Sequence, residues 1–299
     1  MKTETETKTD ATKPLTSTPP LVEPGEALRR LGGHEAAGQP ERLDVIVIGG
    51  GQAGLSVGHH LQRHGLRFVI LDAEARIGDT WRNRWDSLRL FTPAKLDGLD
   101  GMKFPAPPNS FPTKDEMADY LEAYAARFAL PVRSGMRVER LYRRDGVFVA
   151  KVAGREIEAD QVVVAMSNYQ ARRTPAFAPD LGKGIVQLHS CEYRNPGQLR
   201  EGGVLIVGAG NSGAEIANEL AGKHHIWMAG PDTGEAPIRL DSVASRAILA
   251  RLLMRVVFHR VLTIKTPMGR KVRPKIMTKG TPLIRVKTKT LIAKGVERV

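Results

Sequence analysis

Two short glycine-rich segments are the parts of this chain whose residue types and spacing could do chemistry. Residues 49–54 read GGGQAG, and residues 208–213 read GAGNSG. Both fit the pattern GxGxxG, in which the first glycine permits a tight turn, the second lets a pyrophosphate approach the backbone, and the third lets helix and strand pack closely. Free N–H groups and the dipole at a helix start favour phosphate. Each segment is therefore predicted to bind a dinucleotide, with a purely structural glycine turn as the alternative.

The predicted cofactor-binding residues lie in these turns and at the end of the next strand. In the first unit Asp72 follows Gly54 by 18 residues, where a carboxylate accepts hydrogen bonds from ribose hydroxyls. Glu74 is the second choice, and a solvated strand-end acid is the alternative. A ribose-binding acid at this position suits NAD or FAD. The second unit has no acid at the end of its second strand, and this slightly favours NADP over NAD in that unit. The predicted turn residues are Gly49, Gly51, Gln52, Ala53 and Gly54, and Gly208, Gly210, Asn211, Ser212 and Gly213.

Hydrophobic patterning places both segments inside βαβ units. Short aliphatic and β-branched runs are typical of buried parallel strands, and a period near 3.6 is typical of helices. The predicted elements cover 44–48, 55–64 and 67–72 in the first unit, and 204–207, 214–221 and 226–229 in the second. The fold class that follows is α/β, with two Rossmann-like dinucleotide-binding domains that contain parallel sheets.

Composition along the chain sets the domain boundaries. Residues 1–40 are poor in apolar residues and rich in Thr, Lys, Glu and Pro, which predicts a disordered tail. The first domain is predicted to cover 41–170 and the second 171–299. Thr113 and Glu116 form a capping box that opens a helix. Its apolar face is predicted to hold Met117, Tyr120, Leu121, Tyr124 and Phe128, and a hairpin is predicted to turn at 144–146.

Composition also excludes several classes of protein. Of the 299 residues, 41% are hydrophobic and 26% charged, as in a globular protein. The single cysteine, Cys191, cannot form an internal disulfide, a CxxC pair or a cysteine-based zinc site, so a cytoplasmic location is expected. Neither a signal peptide nor a membrane span is expected. Cys191 is not predicted as a nucleophile, because no activating His/Asp arrangement is recognised beside it. His59-His60 lacks acids at metal-binding spacing, and no metal is predicted.

Positive charge is concentrated near the C-terminal end. The net charge is +13, and residues 239–299 hold 16 Lys and Arg against 2 acids. Within this part, arginines recur among apolar residues over 246–264, which predicts a basic amphipathic helix. Three alternatives stay open for this helix. It could pack in the second domain, contact a membrane surface, or be exposed because a truncated chain lacks the segment that would cover it. Nucleic-acid binding is not expected, since aromatic interleaving and known motifs are lacking.

Six motifs carry a family resemblance. They are GGGQAG at 49–54, Gly78-Asp79-Thr80-Trp81-Arg82, Phe104-Pro105, Pro112-Thr113-Lys114, Gln187-Leu188-His189-Ser190 with Tyr193-Arg194, and GAGNSGAEIANEL at 208–220. In order and spacing the chain resembles the flavin-containing monooxygenases, most closely their bacterial and plant auxin-biosynthetic (YUCCA-like) branch. The resemblance implies that the first unit binds FAD and that an NADPH domain follows it or is inserted in it. It also implies that NAD(P)H and O₂ oxygenate a small organic substrate through a C4a-(hydro)peroxyflavin.

The same resemblance adds three candidate cofactor contacts. Trp81 and Arg82 are predicted to bind cofactor, and Trp81 and Trp85 either shield the flavin or anchor their loop. His189 is a predicted cofactor contact or hinge, with an ordinary histidine as the alternative. No catalytic residue can be named from the sequence.

The family signature FxGxxxHxxxY is only partly present. His189 and Tyr193 match it, while Lys183 and Ile185 replace its Phe and Gly. The family also continues past the position of Val299, so a C-terminal truncation is expected. Two alternatives therefore stay open: an NAD(P)H–flavin oxidoreductase without oxygen transfer, and a truncated or degenerate nucleotide-binding protein without turnover.

Overall fold

The first glycine segment lies between a buried strand and a helix, as predicted. Strand β1 (Glu41–Ile48) leads through the turn to helix α1 (Gln52–Arg63), and the chain returns as strand β2 (Phe68–Leu71). The two strands run parallel. Their aliphatic residues are buried, as expected for a strand covered on both faces.

The computed structural model describes only part of the chain. The described residues are 41–167, 171–235, 256–257, 260–279 and 281–299. They all belong to one compact unit, Pro40–Val299. The predicted tail at 1–40 lies outside the described residues, as does most of the predicted basic helix at 246–264.

A long connection links the first βαβ unit to the predicted capped helix. It contains a short helix α2 (Asp79–Arg82) and a 3₁₀ turn (Ala94–Leu96), and it ends at helix α3 (Lys114–Arg127). At the start of α3 the Thr113 hydroxyl accepts the N–H of Glu116 at 3.2 Å, and the Glu116 carboxylate accepts the N–H of Thr113 at 2.7 Å. The capping box is confirmed. The predicted face is also confirmed, with Met117, Tyr120, Leu121 and Tyr124 in the core and Phe128 packed beside them.

The first sheet is mixed rather than parallel throughout. The remaining strands are β3 (Val132–Arg133), β4 (Val138–Arg144), β5 (Val147–Val152) and β6 (Arg155–Val164). The strand order is β3-β2-β1-β6-β5-β4. β3, β2, β1 and β6 are parallel, whereas β6, β5 and β4 form an antiparallel meander. The predicted hairpin turns at Asp145 and Gly146, which both have positive φ.

The second glycine segment lies in a smaller parallel sheet. The elements are β7 (Val204–Val207), α4 (Asn211–Leu220), β8 (Ile226–Ala229), α5 (Pro267–Lys279), α6 (Thr288–Ala293) and β9 (Glu297–Arg298), with 3₁₀ turns at Ala178–Asp180 and Pro196–Gln198. The strand order is β7-β8-β9, all parallel. The sequence predicted β7, α4 and β8 but not α5, α6 or β9. Among the described helices, none is both long and apolar enough to cross a bilayer.

Candidate functional site

The first glycine turn has the backbone geometry that a diphosphate cradle requires. Gly49 has φ of +107°, a conformation that favours glycine. A Cβ on Gly54 would lie 1.8 Å from the Gly49 carbonyl oxygen, so helix and strand pack this closely only because Gly54 has no side chain. A Cβ on Gly51, in contrast, would meet no atom within 4 Å. Open space therefore lies against the backbone at the start of α1, where no side chain caps the helix.

The second glycine turn repeats this geometry. Gly208 has φ of +118°, and a Cβ on Gly213 would lie 2.0 Å from the Gly208 carbonyl oxygen. A Cβ on Gly210 would again meet no atom within 4 Å. Gly51 and Gly210 precede their helices with nearly the same φ and ψ, −80° and −169° against −80° and −173°. Two turns of one form thus occur in this chain.

The residues that follow the open glycines differ in what they contact. Ala53 is exposed and Ser212 is half-buried. The Asn211 amide donates to the Pro282 carbonyl at 3.0 Å, and its oxygen accepts the N–H of Ile284 at 2.9 Å. Asn211 therefore ties the second turn to a segment far along the chain, a contact that the sequence did not predict. Cofactor contacts by these three residues stay predictions.

Asp72 lies against the first glycine turn rather than in solvent. Its carboxylate is buried and accepts the N–H of Gly50 at 2.7 Å through Oδ2 and the N–H of Glu74 at 2.9 Å through Oδ1. The alternative of a solvated strand-end acid is therefore wrong. Glu74, the second choice, is half-buried. A carboxylate oxygen has a second lone pair, so these bonds are compatible with the predicted ribose contact, which stays a prediction.

A cavity of about 160 Å³ lies beside the first turn. Gln52, the first residue of α1, contributes to its wall, as does the predicted flavin-shielding residue Trp81. Leu90, Phe91, Thr92 and Asp97 also line it. The structure thus brings two of the predicted cofactor-binding residues together around one space.

Asp97 is an acidic residue of this cavity that sequence reasoning missed. Its carboxyl is buried, and Oδ1 accepts the Thr92 hydroxyl, while Oδ2 has no hydrogen-bond partner among the described residues. Burial raises the pKa of Asp97 from 3.8 to about 6, and the Thr92 bond opposes that shift. The sequence offers no signal for it, because Asp100 in the same loop has the same side chain and is exposed.

The structure places Arg82 and Trp85 away from that cavity wall. The Arg82 guanidinium donates to the Ile77 carbonyl at 2.8 Å and to the carboxylates of Asp79, Asp119 and Glu122 at 2.9 to 3.1 Å. A cofactor contact by Arg82 stays a prediction, since its described bonds are to protein. Trp85 is buried in the apolar cluster around α4, which supports the anchoring reading for this residue.

The predicted contact residue His189 has Cys191 as a neighbour. Its Nδ1 lies 3.0 Å from the Cys191 Sγ, a side-chain contact that the sequence did not predict. A turn over 189–193 brings the two side chains together, and in it the N–H groups of Glu192 and Tyr193 donate to the His189 carbonyl. Tyr193 is buried and donates to the Glu219 carboxylate at 2.8 Å, and burial raises its pKa. The cofactor-contact and hinge roles of His189 stay predictions.

The paired histidines of α1 have different environments. His59 is buried, with its ring 4.2 Å from that of Phe128, and burial lowers its pKa. His60 is exposed. Within the described ranges, no three His, Cys, Asp or Glu side chains cluster as metal ligands.

Comparison with known proteins gives one family match and several relatives. A family model described as pyridine nucleotide-disulphide oxidoreductase matches residues 46–266. A solved flavin-containing monooxygenase from Stenotrophomonas maltophilia is 31% identical with a TM-score of 0.61, over 82% of this chain and 71% of that one.

Two sequence relatives carry different descriptions. An uncharacterized CzcO-like oxidoreductase of Geobacillus kaustophilus is 46% identical over 62% of this chain and 53% of its own length. An indole-3-pyruvate monooxygenase of Oryza sativa subsp. japonica, YUCCA1, is 32% identical over 59% of this chain and 44% of its own. The chain thus spans about half the length of these relatives.

Proposed function

The chain belongs to the pyridine nucleotide-disulphide oxidoreductase family and, within it, to the flavin-containing monooxygenases, and from this premise we propose that it binds FAD at the first glycine turn and NADPH at the second. The bound pair would oxygenate a small organic molecule with O₂. The observation that carries the proposal is the matched pair of turns, each with a packed third glycine and an open second glycine.

The residues of the first turn fit the diphosphate of FAD. Space is free at Gly51, and the uncapped start of α1 offers N–H groups to an anion. Asp72 would hold the adenosine ribose, and Trp81 and Gln52 would border the flavin half. When bound, the flavin supplies electron transfer from NADPH to O₂ and oxygen transfer to the substrate.

The chain's own contribution is binding, orientation and exclusion of water. The second turn would hold the NADPH diphosphate at the start of α4, with Asn211 held by the loop at 282–284. The aromatic and aliphatic residues around the cavity would keep water from the reacting atoms. The name of the rice relative, an indole-3-pyruvate monooxygenase, makes an aromatic 2-oxo acid the first substrate to test.

Purification and spectroscopy test the proposal. The 299-residue chain is expected to bind FAD, to show flavin absorption, and to consume NADPH and O₂ faster with substrate. Gly51→Val should abolish FAD binding, and Gly210→Val should abolish NADPH binding while FAD stays bound. Gly182→Val is the matched control, because Gly182 also has open space and an ordinary φ but lies in an exposed loop.

The outcomes separate the proposal from its rivals. Oxygenated product in step with NADPH use supports a monooxygenase. NADPH use with hydrogen peroxide as the sole product of O₂ would favour a flavin oxidoreductase without oxygen transfer. A colourless chain with no affinity for FAD would contradict the proposal and favour a nucleotide-binding protein without turnover.

A further inference from the structure

Asp97 carries a buried carboxylate oxygen that no group in the described part of the chain satisfies. The residue is 6% exposed, and its Oδ2 has no hydrogen-bond partner there. More than nine in ten buried polar groups in native proteins have a partner, and an orphaned one is destabilising. An unpartnered oxygen on a residue that lines a cavity therefore calls for an explanation outside the chain's own packing.

A structural role accounts for only one of the two oxygens. Oδ1 accepts the Thr92 hydroxyl, and the N–H of Asp97 closes the preceding 3₁₀ turn on the Ala94 carbonyl. Neither contact uses Oδ2. Asp100, an acid of the same loop, is exposed instead, and its carboxylate lies 3.3 Å from the Arg63 guanidinium.

The position of the cavity identifies the molecule that would reach Asp97. Gln52 follows the open Gly51 directly and shares the cavity with Asp97 and Trp81. Asp72 hydrogen-bonds Gly50 of the same turn and so marks the adenosine side of a dinucleotide held there. The half beyond the diphosphate would then enter the cavity. In FAD that half carries ribityl hydroxyls and a ring N–H, which are all donors.

We propose that Asp97 binds the flavin half of FAD, with Oδ2 accepting a hydrogen bond from one of its O–H or N–H donors. The inference rests on the proposed function, because it takes the first turn as the FAD site. It assigns Asp97 a binding role and no proton transfer.

Comparing FAD with ADP isolates this contact, because ADP carries the diphosphate and adenosine but not the flavin half. In Asp97→Asn the amide oxygen can still accept the Thr92 hydroxyl. The amide NH₂ group then takes the place of Oδ2, so that two donors face each other and the hydrogen bond to the flavin half is lost. The Kd of FAD is expected to rise roughly ten- to a hundredfold, as for loss of a hydrogen bond to a charged group. The Kd of ADP should stay within about twofold, and the visible spectrum of bound FAD should shift.

Two control variants complete the test. Asp100→Asn, in the same loop, should leave both Kd values unchanged. Gly51→Val should weaken FAD and ADP alike, because it blocks the shared diphosphate. Thermal melts in the absence of ligand confirm that each variant is folded.

Each outcome has one meaning. If the unmodified chain binds no FAD, the proposed function fails. If it binds FAD and Asp97→Asn leaves the Kd of FAD unchanged, or weakens FAD and ADP equally, the assignment of Asp97 is overturned. Selective loss of FAD affinity supports it.

Discussion

Asp97 and Asp100 are three residues apart in one loop, and their carboxylates experience opposite environments. The side chain of Asp100 is 54% exposed and lies near Arg63 and His60. Asp97 is buried with one oxygen unsatisfied, which raises its pKa to about 6. A group of this kind destabilises the ligand-free fold, and residues that bind ligands often carry such a cost.

The pH dependence of stability should report this buried carboxyl. Asp97 has a pKa of about 6 in the folded chain against 3.8 ordinarily, so the folded state holds more protons between these values. The free energy of unfolding should therefore fall as pH rises from 4 to 6, by up to about 3 kcal/mol from this group. Arg89 is the other charged residue that lines the cavity.

Asp97→Asn removes the titrating group. We expect it to raise the free energy of unfolding of the ligand-free protein by roughly 1–3 kcal/mol at pH 8, with little change at pH 4. Urea unfolding at the two pH values measures both effects. Equal differences between variant and parent at pH 4 and pH 8 would show that burial does not raise the pKa of Asp97 in the folded chain.

The glycines of one turn should separate into those that affect binding and those that affect folding. Gly54→Ala would put a Cβ 1.8 Å from the Gly49 carbonyl oxygen, so we expect a loss of at least about 2–3 kcal/mol in the free energy of unfolding. Gly51→Val has free space and an ordinary φ, so stability should change by less than about 1 kcal/mol while FAD binding is lost. Urea unfolding paired with FAD titration measures both. Comparable destabilisation by the two variants would contradict this division of roles.

At the scale of elements, the sequence predicted what depends on local patterns. β1, α1, β2, β7, α4 and β8 follow from apolar runs around glycine turns, and α3 follows from its capping box. β9 was missed because it has two residues and forms only through pairing with β8. Of the antiparallel meander only the hairpin at 144–146 was predicted, since the pairing of β5 with β6 has no turn signal of comparable strength.

The candidate site was predicted to a similar extent and for the same reason. The glycine turns and Asp72 were found because their spacing along the chain reflects a local βαβ geometry. The environment of Asp97 could not be found, because its burial depends on where the loop after α2 packs. The side-chain contact between His189 and Cys191 was not predicted, since the turn at 189–193 has no strong sequence signal.

Helix α4 is held to the C-terminal part of the chain by an ion pair that spans 70 residues. Glu215 is 7% exposed and accepts two hydrogen bonds from the Arg285 guanidinium, one of 2.8 Å from Nε. Removing one partner of a buried pair leaves the other charge uncompensated. Glu215→Met and Arg285→Met should each lower the free energy of unfolding by roughly 2–4 kcal/mol, and the double variant should lose less than the sum.

A double-mutant cycle measures this coupling, and an exposed pair provides the control. Arg42 and Asp160 lie 2.8 Å apart with side chains 55% exposed, so their coupling should stay below about 1 kcal/mol. We expect at least about 1.5 kcal/mol for Glu215 and Arg285. Strict additivity of the two single substitutions would mean that the pair does not hold α4 in place.

At the scale of the whole molecule, the loop after α2 joins the two dinucleotide-binding units. Trp85 and Leu88 pack in the apolar cluster formed by Tyr193, α4 and β8. The N–H of Asp86 donates to the Arg194 carbonyl at 2.7 Å, and the Asn195 amide donates to the Asp86 carboxylate at 2.8 Å. The same loop lines the cavity beside the first turn. We therefore expect a movement of one unit to be transmitted through this loop to the other.

Trp85→Ala should uncouple the units. It would leave a large cavity in the shared cluster, so we expect the free energy of unfolding to fall by about 3–5 kcal/mol. The loss should fall on one unit: amide hydrogen exchange should rise in α4, β7 and β8 and change little in β1, β2 and α3. Phe177→Ala, at a side chain 50% exposed, is the aromatic control and should alter stability by less than about 0.5 kcal/mol. Equal acceleration of exchange in both units would show that they unfold as one and that Trp85 does not mark a boundary between them.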